Sequence, residues 1–341
     1  MTHSTWIPHL LKDEDLTRDQ FERLLGVAAE AKAARRSGTE RQQLTGRRIA
    51  VLFEKPSTRT RAAFEVAIYE QGGHLTYIDP ASSHVGVTES IEDTAIVLGR
   101  LYDGIAFRGY AHADVEALAR HADVPVWNAL TDRWHPTQAL ADLLTMREHS
   151  AAPLNDRSVC FLGDARDNVA NSLLTSGAIM GMDVRVACPD SLRPESAVIH
   201  AAERLAAASG GALLITDDVD RAVHGADFLY TDVWVSMGEP REAWAARIPS
   251  LLPYRVDPTM IRRTGNPAVK LLHCLPAIHD RRSAIGRELF DGYGLDGAEV
   301  ADEVFRSEGS LVFDQAENRM HTIKAVLLGS LGDDSAPAGE G

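Results

Sequence analysis

Apolar positions along the chain follow two rhythms that replace one another at short intervals. From Arg18 the spacing is helical, with Phe21, Leu24, Leu25 and Ala28 on one face. Thr17 and Gln20 match a capping box ahead of it, and Gly38 is a plausible stop. Short apolar runs that read as strands then alternate with helical stretches. The first half predicts strands at residues 49–53, 74–78, 105–107 and 124–127. Helices are expected at 58–71, 89–102 and 113–121, and Pro136 opens another that runs to 148. A polar segment with one proline, 149–157, interrupts the pattern, which then restarts. Strands are expected at 159–162, 184–187, 212–216, 228–231 and 269–273, with helices at 168–180, 197–208 and 315–328. The tail, 332–341, reads as disordered.

Strand–helix alternation in both halves predicts an α/β fold of two doubly wound parallel-sheet domains. The polar segment is the expected domain boundary, giving 1–149 and a second domain from 150. Ligands of such sheets bind beyond the carboxyl ends of strands, so an interdomain active-site cleft is expected.

Composition narrows the partners. A length of 341 residues suits two domains. The formal charge of -14 argues against nucleic acid or an anionic membrane as the main partner. Cys160, Cys188 and Cys274 are far apart and form no CxxC, which suits a reducing cytoplasm and neither a disulfide scaffold nor a metal site. There is no basic-then-apolar leader and no window near 18 apolar residues, so neither a signal peptide nor a membrane span is expected.

Several strand ends carry residues with chemistry. The string FEKPSTRTR, 53–61, places Ser57, Thr58, Arg59 and Thr60 where a strand gives way to a helix. Free N–H groups, hydroxyls and arginines there form a phosphate cradle, although Ser and Thr alone are common caps. Arg108 follows the strand at 105–107 and reads as a site cation or a solvated strand end. His135 and Gln138, in HPTQ, flank a helix start, where they could bond a carbonyl or simply cap. GDARDN, 163–168, lacks the G-x-G-x-x-G spacing of a dinucleotide site, which leaves Asn168 better suited to an amino-acid carboxylate. Asp232 is an acid at a strand end, able to bind an amine or to sit in a turn. Cys274, in HCLPA, is a site thiol or a small buried apolar residue. Arg319, in ENRMHTIKA, adds a third cation.

Taken together these strings resemble the aspartate/ornithine carbamoyltransferase family over nearly the whole chain. STRTR and HPTQ are similar to its carbamoyl phosphate motifs. DVWVSMGE and HCLPA are similar to its ornithine branch rather than the aspartate branch, which carries HPLPR. The resemblance implies that Ser57, Thr58, Arg59, Thr60, Arg108, His135, Gln138, Arg319 and the Cys274–Leu275 backbone bind carbamoyl phosphate. It implies that Asn168, Asp232, Ser236 and Met237 bind ornithine, with Arg108, Asp232 and Cys274 in the chemistry. It further implies that the last helix, at about 315–331, packs back on 1–149 and leaves 150–314 as the ornithine domain, together with a trimer or multiple of trimers, no cofactor, no metal and a place in arginine metabolism. A loop from the neighbouring subunit completes each site in the family, usually through a glutamine. Here His84 stands at that place, and Asp167 stands where asparagine is frequent.

The reaction implied is attack of a neutral amine on the carbonyl carbon of a mixed anhydride, with phosphate leaving. A lysine-like amine has a pKa of about 10.4, so it must first lose a proton. Asp232, Cys274 or the departing phosphate could take it. Rival readings are a sibling transferase using lysine, putrescine or an N-modified ornithine, a non-catalytic anion-binding paralogue, and a nicotinamide dehydrogenase suggested only by strand–GDARDN–helix.

Overall fold

The computed structural model describes residues 6–79, 88–235 and 241–332. The chain divides into two compact units, one of residues up to Leu144 with those from Glu317 onward, the other Thr145–Ala316.

In the first unit, α1 (Arg18–Ser37) precedes β1 (Arg48–Phe53), α2 (Thr58–Glu70), β2 (His74–Ile78), α3 (Ile91–Leu101) and β3 (Gly104–Arg108). Then come α4 (His112–His121), β4 (Val126–Leu130) and α5 (Pro136–Glu148). The capping box at α1 forms as expected: Gln20 N donates to Thr17 Oγ1 at 3.3 Å and Thr17 N to Gln20 Oε1 at 2.8 Å. Gly38 ends the helix at φ 70°, which a glycine adopts without steric penalty. The four strands are parallel in the order β2-β1-β3-β4. The chain therefore leaves β1 toward β2 on one side and reaches β3 on the other, so the switch point lies at the carboxyl ends of β1 and β3.

Strand β4 runs later than the reading at 124–127, and two residues explain the shift. Pro125 has no N–H to give the ladder, and only its carbonyl takes part, accepting from Ile105 N at 2.9 Å. Asn128 interrupts the apolar run and so looks like an end. It is fully buried, with its amide nitrogen donating to Leu11 O at 2.8 Å and Thr131 Oγ1 at 3.2 Å. The ladder slips beside it: Phe107 pairs with Asn128 but Arg108 with Leu130. This irregularity turns the end of β3 at the arginine.

The second unit repeats the plan with β5 (Ser158–Leu162), α6 (Asn168–Ile179), β6 (Asp183–Ala187), α7 (Ser196–Ser209) and β7 (Ala212–Thr216). It continues through α8 (Val219–Val223), β8 (Phe228–Thr231), α9 (Arg241–Leu251), α10 (Pro258–Arg263) and β9 (Lys270–Leu272). It then adds α11 (Ala284–Tyr293), α12 (Asp302–Phe305) and the start of α13 (Val312–Leu331). Its parallel order is β7-β6-β5-β8-β9, so the switch point lies between β5 and β8. Thr231 Oγ1 bonds Leu162 O at 2.9 Å and ties those two strand ends together. Helices α8 to α12 went unread in the sequence. Helices α8, α10 and α12 are short, α9 carries Pro249 within it, and α11 equals α4 in length.

Candidate active site

In the first unit the chemistry gathers at the switch point. Ser57 caps α2, its Oγ accepting from Thr60 N at 3.3 Å, so Thr58 and Arg59 present first-turn N–H groups. Thr60 is fully buried, and its Oγ1 is a meeting place. It accepts from Arg319 Nη2 at 3.0 Å and lies 3.5 Å from Arg108 Nη1, while Ser57 Oγ bonds it at 3.1 Å. Arg108 Nε also donates to Lys55 O at 3.2 Å. Two guanidinium groups and a helix N-terminus thus converge on one neutral hydroxyl, an arrangement suited to a phosphate.

His135 and Gln138 are buried beside this cluster on the first turn of α5 and the residue before it. Burial, then the nearby Arg319 and Arg108, hold the His135 imidazole well below its usual pKa. At neutral pH the ring is therefore uncharged and keeps one N–H to donate. Gln138 Nε2 donates to Asp142 Oδ1 at 2.7 Å. A carboxylate only accepts, so that bond fixes the amide orientation and leaves Oε1 as an acceptor. Among the described residues Oε1 is buried without a hydrogen-bond partner. A ligand amide would satisfy it.

In the second unit Asp232 follows β8 and accepts from Val233 N at 2.7 Å and from the Cys274 thiol at 3.1 Å. Asn168 opens α6, which Asp167 caps through a 2.7 Å bond from Ala170 N. Burial, then the charges of Asp232 and Asp164, raise the Asp167 carboxyl well above its usual pKa. Leu275 sits at φ 59°, a left-handed conformation rare for leucine. A buried frame holds it: Leu275 N donates to His273 Nδ1 at 2.9 Å, and His273 Nε2 lies 3.3 Å from Glu299 Oε1. Gln315 Oε1 accepts from His273 N at 2.8 Å, and its Nε2 donates to the Tyr230 hydroxyl at 3.0 Å.

The structure thus gathers Ser57, Thr58, Arg59, Thr60, Arg108, His135, Gln138 and Arg319 within the first unit. It gathers Asn168, Asp232, Cys274 and Leu275 within the second. His84, Ser236 and Met237 lie outside the described residues, as does the tail beyond Gly332. Sequence reasoning missed the supports: Asp142, His273, Glu299 and Gln315. Only Asp142 left a usable signal, an acid four residues after Gln138 on one helix. Among the described residues, two groups offer metal-ligating atoms within 4.8 Å of one another: Asp232, His273 and Cys274, and separately His279, Asp280 and Asp302. In the first group both ring nitrogens of His273 are engaged. In the second, Arg282 and Arg306 pair with the acids, which offsets the charge a cation needs.

A cationic end in one parallel α/β unit and an acid–thiol pair in the other suit a group transferase acting on a phosphorylated donor. Two family descriptions fit the chain: "Aspartate/ornithine carbamoyltransferase, carbamoyl-P binding domain" over residues 8–148, and "Aspartate/ornithine carbamoyltransferase, Asp/Orn binding domain" over residues 155–329. The chain belongs to the aspartate/ornithine carbamoyltransferase family. It is 53% identical over 325 residues to ornithine carbamoyltransferase of Haemophilus influenzae strain PittGG, covering 95% of this chain and 97% of that protein. The enzyme of the same name from Actinobacillus pleuropneumoniae serotype 5b is 52% identical over the same share of each chain. Among solved structures, ornithine carbamoyltransferase of Pyrococcus furiosus superposes with a TM-score of 0.88 at 38% identity, covering 99% of this chain and 100% of that one. That of Thermus thermophilus gives 0.79 at 38% identity, covering 96% and 100%.

Because the His135 pKa lies well below the ordinary value of about 6.5, its ring gains no proton between pH 8 and pH 6. An NMR titration should find the His135 ring carbon–proton signal at its neutral position throughout that range. A midpoint at or above the ordinary value would contradict the buried cationic surroundings.

Proposed function

We propose that the chain transfers a carbamoyl group from carbamoyl phosphate to the side-chain amine of L-ornithine, releasing L-citrulline and phosphate. One observation carries the reading: Arg108 and Arg319 meet at Thr60 Oγ1 in the unit where Gln138 presents a buried, unpartnered acceptor. That pattern complements a phosphate joined to a primary amide. The identity of more than half to named ornithine carbamoyltransferases supports the acceptor assignment.

Residues 1–149 with the helix at about 315–331 hold the donor. Ser57, Thr58, Arg59, Thr60, Arg108 and Arg319 take its phosphate, and Arg108, His135 and Gln138 its carbamoyl end. Cys274 and the Leu275 backbone add contacts from residues 150–314, which otherwise hold ornithine through Asn168 and Asp232. His84, Ser236 and Met237 are assigned to the same two ligands on the family pattern alone. The amine lone pair attacks the carbonyl carbon, negative charge moves to the carbonyl oxygen, and collapse breaks the carbon–oxygen bond to phosphate. The amine proton passes to Asp232, Cys274 or the departing phosphate. Fixed donors aimed at the developing oxyanion lower the barrier because they need no reorganisation.

The assembly is a homotrimer or a multiple of it, working in the cytoplasm. Exposed Ile96, Val97 and Leu101 on α3 support a subunit interface, since an isolated chain gains by covering them. No helix among the described residues is long and apolar enough to cross a membrane.

Arg59→Ala is expected to lower turnover by about 10²–10³ with an unchanged melting temperature; near-normal activity would remove Arg59 from the phosphate site. Offered ornithine, lysine and putrescine with carbamoyl phosphate, the enzyme should give its highest kcat/KM with ornithine, scored as ureido product. Preference for either of the others would overturn the acceptor. Light scattering on the eluting protein should give about three chain masses or a multiple, and a monomer or dimer would refute the trimer.

A further inference from the structure

Lys324 lies on the same helix as Arg319, five residues on, and its side chain has no exposed surface. At about 3.6 residues per turn the two leave α13 roughly 140° apart. Arg319 reaches Thr60 on the first turn of α2. Lys324 Nζ reaches Glu70, the last residue of α2, at 2.5 Å and both oxygens of Glu40 at 2.6 and 2.9 Å. Arg35 Nε of α1 donates to Glu70 at 2.9 Å, and Gln71 Nε2 to Glu40 at 2.8 Å. Beside Arg319, Asn318 Oδ1 accepts from the buried Lys32 of α1 at 2.7 Å. Helix α13 is thus fastened to both ends of α2 and to α1.

The charges balance, two cations against two acids. Burial alone would raise the Glu70 carboxyl, but hydrogen bonds from Lys324 and Arg35 outweigh it and hold it below its usual range. Such buried pairs add little net stability, because desolvation offsets attraction; fixing register is their best-attested role. Here register needs fixing. Residues 318 to 327 are buried in unbroken succession, so apolar packing surrounds α13 and discriminates weakly between rotations. A slip of one residue turns Arg319 by roughly 100° away from Thr60.

We propose that Lys324, with Glu40 and Glu70, is a positioning residue that sets the rotation of α13 and so delivers Arg319 to the phosphate end of the donor site. It touches no substrate. The inference rests on the reading of Arg108, Thr60 and Arg319 as that phosphate site.

The single variant Lys324→Met removes the cation that holds Glu40, leaves Glu70 with Arg35 alone, and is expected to unfold. The triple variant Lys324→Met/Glu40→Gln/Glu70→Gln removes the clasp at nearly constant volume and leaves, of its four charges, only Arg35, whose side chain is 42% exposed and stays solvated. Its melting temperature should stay within a few degrees of the parent. Calorimetric titration with inorganic phosphate, on the full chain and well below each melting midpoint, should give a Kd raised about tenfold or more, as for a lost charged hydrogen bond. The kcat/KM for carbamoyl phosphate should fall by about 10², the scale of a small misplacement, with the KM for ornithine at saturating carbamoyl phosphate unchanged. Phosphate affinity within twofold of the parent overturns the proposal, since packing alone then sets the rotation. So does an affinity that falls only near the melting midpoint and recovers on cooling, which marks a structural role alone. Arg319→Ala is the control. If it binds phosphate normally, the donor-site reading fails; if it loses binding while the triple variant does not, only the clasp fails.

Discussion

Cations held close together repel, and the first unit is built around keeping Arg108 and Arg319 close. Both guanidinium groups come to the Thr60 hydroxyl, at 3.5 and 3.0 Å, over the N-terminus of α2. In water such a pair would separate, because each head is better solvated alone. Here Arg108 is anchored by a backbone carbonyl, Lys55 O, and Arg319 by a helix buried along most of its length. The same field, added to burial, keeps His135 uncharged. A dianion between the two heads would reverse the sign of that repulsion, which suits this end of the unit to a phosphate group.

Parallel sheets explain why these residues could meet at all. Each strand delivers its following loop to the same edge, and the switch point opens a gap there. In the first unit the loop after β1 carries Ser57 to Thr60 and the end of β3 carries Arg108. In the second, β5 and β8 deliver Asn168 and Asp232 in the same way. The two units use one topological device for opposite charges, cations in one and acids in the other. The chain can therefore be acidic overall, at -14, and still cradle an anion.

Strands with continuous apolar runs were legible at once, since burial on both faces demands them. So were α1, from its cap and its stop, and the residues at strand ends, whose types are costly to leave idle. The exceptions have local causes. Asn128 hid the second half of β4, because a buried amide satisfied by Leu11 O looks, in sequence, like a strand end. Helices α8, α10 and α12 are too short for periodicity to separate from loops, Pro249 disguises α9, and α11, as long as α4 and capped by Ser283, was legible and missed. The supporting residues were illegible for another reason. His273, Glu299 and Gln315 are distant in sequence, and only the sheet and α13 bring them to one place. The same holds for Lys324, whose partners stand more than two hundred residues away.

Asp167 shows how such a site tolerates a departure from its pattern. On the family pattern that the resemblance implies, asparagine is expected at this place, and a carboxylate there faces Asp232 and Asp164. Yet either residue caps a helix well, and Asp167 Oδ1 does so at 2.7 Å from Ala170 N. Burial and the neighbouring acids push its carboxyl toward the protonated form. A neutral carboxylic acid offers one O–H and one acceptor oxygen, much as an amide offers N–H and C=O. The environment thus pushes this acid in the direction of asparagine, because the protonated form is the one that burial and the neighbouring acids favour.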